Sequence, residues 1–65
     1  MKIGDYIVWY YFDNIKRYLQ ILEINEKVGY YKILDLETSK VNNWSSYRLN
    51  HYSRLMTIEE KIEFL

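Results

Sequence analysis

The chain has 65 residues, with nine basic and nine acidic side chains, no formal net charge, an aromatic content of 18% and neither cysteine nor proline. Such a length supports one domain near the lower limit for folding on a single core, without disulfides or thiolate metal sites to reinforce it. The charge balance sets the chain apart both from dedicated nucleic-acid binders, which carry excess cation, and from acidic mimics of DNA.

Gly4-Asp5 is the first turn signal, followed by Tyr6 to Phe12, the run Tyr-Ile-Val-Trp-Tyr-Tyr-Phe. A half-exposed strand alternates apolar and polar residues; this one does not, so a strand over about 6–12 needs cover on both faces. Asp13-Asn14 ends it, and Lys16-Arg17 keep the connection in solvent. A second strand is predicted over 18–24, with Leu19 and Ile21 on one face and Gln20, Leu22 and Ile24 on the other. Asn25 to Gly29 makes a hairpin loop with Gly29 as its left-handed residue. Strands over 30–36 and 41–44 follow, separated by a tight turn at Glu37 to Lys40.

Residues 45–56 show neither strand alternation nor a helical stripe, and are expected to be irregular, anchored by Leu49 and Leu55. Thr57-Ile58-Glu59-Glu60 is a capping box opening a helix over 58–65. Ile58, Ile62 and Leu65 fall on one side of it, with Phe64 nearby, and this stripe is expected to dock over the open side of the sheet. The predicted fold is mainly β, one domain over 1–65: a small antiparallel barrel or curved four- to five-stranded sheet with one short C-terminal helix.

Lys2-Ile3-Gly4-Asp5-Tyr6-Ile7-Val8 resembles the opening of SH3-like small barrels of the KOW and Tudor type, where a basic-hydrophobic-Gly-Asp stretch enters the first strand. Asp35 to Val41 is similar to a strand-turn-strand corner of such barrels. The resemblance spans roughly residues 2–44. It implies a five-stranded barrel, or four strands with a short fifth near Leu55-Met56, and it carries no function by itself.

Catalytic and metal-binding groups are sparse. His51 is the single histidine, and it reads as a surface residue or a hydrogen-bond partner. Ser45, Ser46 and Ser53 lie near it in sequence, but a hydrolase needs a base, an orienting acid and an oxyanion hole together. No ligand cluster and no phosphate loop is present, so neither enzyme activity nor a cofactor or metal is expected. The six-residue apolar run Ile7 to Phe12 is short beside the ~7–15 residues of a signal core or the ~20 of a membrane span. A cytoplasmic protein without a membrane partner is expected.

The stretch Ser39 to Ile58 contains no carboxylate. It interleaves Lys40, Arg48 and Arg54 with Trp44, Tyr47, His51 and Tyr52, a composition suited to a protein interface, where Arg, Tyr and Trp supply most hot spots. Trp44, Tyr47, Arg48, His51, Tyr52 and Arg54 are the candidate partner-binding residues. Phosphate contact and base stacking would use the same chemistry over 39–58, so a small nucleic-acid-binding barrel is the alternative. A purely structural reading puts Trp44, Leu49 and Leu55 in the core and pairs the arginines with acids. An aromatic cage for methylated lysine would instead draw on Trp9, Tyr11 or Tyr31.

The absence of alanine and proline, with abundant Ile, Lys, Asn and Tyr, is the signature of an A+T-rich gene, as in low-GC bacteria, their phages and mobile elements. The functional expectation is therefore a non-enzymatic protein-binding module, in its most concrete form a phage- or mobile-element-encoded inhibitor of a host defence protein. A homodimer is the competing use of the same aromatic surface.

Overall fold

A computed structural model describes residues 1–11 and 15–65. In chain order the elements are β1 (Tyr6–Tyr11), β2 (Ile15–Asn25), β3 (Tyr30–Asp35), β4 (Val41–Ser45), α1 (Ser46–Tyr52), β5 (Ser53–Leu55) and α2 (Ile58–Phe64). The strands form one antiparallel sheet in the order β4-β3-β2-β1-β5. Among the described residues no ladder joins β4 to β5, so the sheet is curved and open rather than a closed barrel. The protein is mainly β, and it carries two short helices where the sequence suggests one. No described helix is long and apolar enough to cross a membrane.

The concave face carries the core. Ile7, Leu19, Ile21 and Ile33 come from the three central strands, Tyr31 joins them, and Leu49 of α1 closes the cluster from above. Trp9, Ile24 and Trp44 pack around its margin. The place of Ile24 corrects the expectation that it shares a face with Leu22 and Gln20. Ile21 stands opposite Ile33, but Glu23 stands opposite Lys32, so Leu22 is an extra residue in the ladder. This β-bulge shifts the alternation by one and returns Ile24, opposite Tyr31, to the core side.

Further boundaries differ from those expected. β2 begins at Ile15 instead of Tyr18, because Lys16 and Arg17 continue the ladder opposite Tyr10 and Trp9. Phe12, Asp13 and Asn14, where the first strand was expected to end, lie outside the described residues. Gly29 adopts φ 74° and closes the β2–β3 hairpin, donating to the Asn25 carbonyl. In the β3–β4 turn the Asp35 carboxylate accepts from the backbone of Glu37 and Thr38.

The stretch 45–56 is not irregular. Ser45 caps α1, its hydroxyl accepting from the Arg48 amide, and the Ser53 hydroxyl donates to the Leu49 carbonyl. β5 then pairs with the outer edge of β1. Leu49 is the anchor foreseen, but Leu55 is 60% exposed and Met56 takes the buried place beside it. A seven-residue helix can show only one core position, too little for a periodic signal.

α2 lies on the convex face. Its capping box is formed as the sequence suggests. The expected docking stripe is turned outward, however: Ile58, Ile62 and Leu65 are 74%, 76% and 66% exposed. The helix instead touches the sheet through Phe64, stacked on Tyr18 with centroids 3.9 Å apart, and through Glu60, held by Arg54. Tyr18 and Arg54 are the ladder partners of Val8 on its two sides. The helix therefore straddles Val8, which is fully buried.

Candidate functional site

Period-two alternation along β1 places Ile7, Trp9 and Tyr11 on the concave face. Ile7 lies in the core, whereas Trp9 and Tyr11 continue outward to the rim. There they meet the end of β4 and one side of α1. Trp9, Tyr11, Ser45, Tyr47, Arg48 and Tyr52 line an open groove of about 480 Å³.

Rings run around this groove in an unbroken series. Trp44 meets Trp9 edge to face at 4.9 Å between centroids, and Trp9 lies parallel to Tyr11 at 5.8 Å. Tyr11 meets Tyr52 edge on at 6.1 Å. Tyr52 neighbours His51 at 6.5 Å, and His51 stacks on Tyr47 at 3.8 Å. Offset and edge-to-face contacts of this kind each add about 0.5–1.5 kcal/mol beyond the area they bury. The His51 Nδ1 lies 2.9 Å from the Tyr47 carbonyl. A carbonyl only accepts, so the proton sits on Nδ1.

Arg48 stands among these rings. Its guanidinium carbon is 5.4 Å from the centroid of Trp44 and 5.8 Å from that of Trp9, within cation–π range of both. No described carboxylate lies within ion-pair distance of it, the described salt bridges being Lys32–Glu23 and Arg54–Glu60. Among the described residues the buried indole nitrogen of Trp9 has no hydrogen-bond partner. Among the described residues the groove thus combines an exposed cation without a counter-ion and, in Trp9, a buried donor without an acceptor; buried donors of this kind are seldom left unpaired.

Five of the six residues singled out in the sequence, Trp44, Tyr47, Arg48, His51 and Tyr52, come together here. Arg54 does not. It projects from the convex face, where its two Nη atoms lie 2.7 and 3.0 Å from the Glu60 carboxylate oxygens and pin α2 to β5. Glu60 also accepts from the Thr57 amide at 2.9 Å. These donors, Arg54 foremost, pull the Glu60 carboxyl from an ordinary 4.5 to about 2, and the same hydrogen bond raises Arg54. Arg54 and Glu60 hold the fold together rather than contributing to the groove.

Trp9 and Tyr11, which the sequence suggested only for a methyl-lysine cage, belong to the groove. Tyr31, the third cage candidate, is in the core. Their spacing from Ile7 was the available signal: once Ile7 is core, Trp9 and Tyr11 share its face. Two of the three serines near His51 serve the backbone, Ser45 as a helix cap and Ser53 as a donor to Leu49. Among the described residues no three His, Asp or Glu groups gather as metal ligands would. A smaller depression of about 320 Å³ between Glu23, Tyr30, Lys32 and Asn43 lies away from the groove, and its charges already face each other across 4.0 Å.

No protein family, no curated protein and no solved structure matches this chain.

Proposed function

We propose that the protein is a non-enzymatic protein-binding module whose contact surface is the aromatic groove around Arg48. The observation that carries this reading is the convergence, on one rim of the sheet, of exposed Tyr47 and Tyr52, half-buried Trp9 and Trp44, and an arginine without a carboxylate partner among the described residues. Tryptophan, tyrosine and arginine at the centre of a concave patch are the residue types whose truncation costs an interface most. The alternative, tracking of a nucleic-acid backbone, calls for several cations along one path. Here Lys40 lies in the β3–β4 turn and Arg54 is bound to Glu60 on the opposite face. Arg17, opposite Trp9 in the ladder, is outside the lining, so Arg48 is the one basic residue among the described lining.

The strand order β4-β3-β2-β1-β5, with a short helix between β4 and β5, supports reading the fold as an opened SH3-like small barrel. Small size and an A+T-leaning composition support the narrower role of a phage- or mobile-element-encoded inhibitor, occupying a surface of a host protein in the host cytoplasm.

The test is affinity capture from a low-GC bacterial lysate with the wild-type chain, Tyr47→Ala and Trp9→Phe/Arg48→Ala, all checked for equal thermal stability. One protein captured by the wild type, retained at physiological salt and lost with the groove variants is the expected result. Equal capture by all three, or a captured nucleic acid that washes off between low and physiological salt, would overturn the reading. Light scattering alongside gives the mass, and a dimer dissolved by the same variants would assign the groove to a second copy.

A further inference from the structure

We infer that the groove takes an acidic peptide segment, with a side-chain carboxylate seated on Arg48 and a neighbouring apolar or aromatic side chain lying on the Tyr and Trp rings. This deepens the protein-binding reading and rests on it. The first ground is charge. Arg48 is exposed and faces no described carboxylate within ion-pair distance, and no acidic residue occurs between Ser39 and Ile58, the stretch that supplies Ser45, Tyr47, Arg48 and Tyr52 to the lining. Contact with the two indole rings attracts the cation but leaves its charge uncompensated.

The second ground is preorganisation. A lone surface arginine loses much rotamer freedom when it pairs, which is why such pairs contribute little. Arg48 already rests against both Trp9 and Trp44, so less freedom remains to lose. Its planar fork presents N–H donors at its edges, matched to the two oxygens of a carboxylate. The third ground is the lining. Tyr47 and Tyr52 line the same groove, and neither phenol hydroxyl has a hydrogen-bond partner among the described residues. Phenols and a guanidinium together suit an anion, while the ring faces suit an apolar neighbour. A basic peptide would meet like charge at the centre of the groove.

The two tryptophans, Trp9 and Trp44, are the whole tryptophan content of the chain, so indole fluorescence and the two indole N–H resonances report on the groove directly. The probes are the peptides acetyl-Gly-Asp-Phe-Glu-Gly-amide and acetyl-Gly-Asn-Phe-Gln-Gly-amide, titrated into the wild-type protein at low salt. The acidic peptide is expected to bind at least tenfold more tightly and to shift both indole resonances. Arg48→Gln should bring it down to the level of the amide peptide, whereas Arg54→Gln, on the opposite face, should leave the difference intact. Equal affinity for the two peptides, binding of neither at millimolar concentration, or unchanged discrimination in Arg48→Gln would each overturn the inference. The comparison of peptides uses the wild-type chain and stands even where a variant folds poorly. A partner captured through Tyr47 with the same affinity in Arg48→Gln would sink the carboxylate assignment and leave the protein-binding reading in place.

Discussion

Trp9 and Trp44 touch edge to face at 4.9 Å although their strands, β1 and β4, are separated in the sheet by β2 and β3. On a flat sheet three strand spacings would hold them about 14 Å apart. Their contact therefore measures how far the sheet curls, and it joins the rim of the core to the floor of the groove. Curl and groove are one feature. Replacing Trp44 by Ala should accordingly lower stability by about 2–4 kcal/mol, the loss of a large, partly buried ring. Trp44→Phe, which keeps a ring at the contact, should recover more than half of it. Urea denaturation followed by far-UV circular dichroism gives both numbers, and equal losses in the two variants would show that the ring contact does not support the curl.

The Arg54–Glu60 pair makes stability depend on pH below the usual carboxylate range. Glu60 is held down to about 2 in the folded protein, against an ordinary 4.5. The unfolded chain therefore binds the proton more readily between those values. The stabilisation is fully present above about 4.5 and is lost as pH falls through about 2. Arg54 is nearly half exposed, with 43% of its side chain accessible, so solvent screening limits the effect to about 0.5–1 kcal/mol. Glu60→Gln should be less stable than the wild type by that amount at pH 6, with the gap closing near pH 2. A gap that is constant with pH would mean that the pair contributes through packing alone.

Much of the sheet was legible because β-branched and aromatic runs separated by turn residues leave few other readings. Gly29 at the hairpin and Asp35 in the next turn sit where local chemistry demands them. Three features were not legible, each for a physical reason. The bulge at Leu22 depends on the register against β3, which no local pattern encodes, so simple alternation puts Ile24 on the wrong face. α1 buries Leu49 alone, and a single apolar residue has no period. The orientation of α2 is hidden from the sequence because its most apolar stripe is not its docking stripe. In the site, composition marked Trp44, Tyr47, Arg48, His51 and Tyr52, but Arg54 was drawn away by an acid six positions on, and the strand partners Trp9 and Tyr11 required the fold.

α2 offers a direct test of which of its sides holds it in place. Phe64 stacks on Tyr18, while Ile58 and Ile62 face solvent. Ile58→Ser/Ile62→Ser should change stability by no more than about 0.5 kcal/mol, since serine and isoleucine have similar helix propensities and little burial is lost. Phe64→Ala should cost about 1–2 kcal/mol through the lost ring contact. Thermal melts of the two variants decide it. A larger loss in the double serine variant would mean that the stripe is covered in solution, and sedimentation at rising concentration would then show whether a second copy covers it.

α1 divides its seven residues between fold and groove, and neighbouring positions should separate the two. Leu49 is fully buried in the core cluster, so Leu49→Ala should destabilise the protein by about 2–4 kcal/mol. Tyr47 is 63% exposed and stacks on His51. Tyr47→Ala should stay within about 0.5–1 kcal/mol of the wild type, the worth of one exposed ring contact. Arg48→Gln gives up the contact with Trp9 and Trp44, about 0.5–1 kcal/mol for a cation over an aromatic face at an exposed site. Partner capture should follow the reverse order, with Tyr47→Ala and Arg48→Gln defective while fully folded. Leu49→Ala should remain competent at temperatures where its folded fraction matches theirs. Capture that tracks folded fraction alone across the three variants would place the contact surface elsewhere on the molecule.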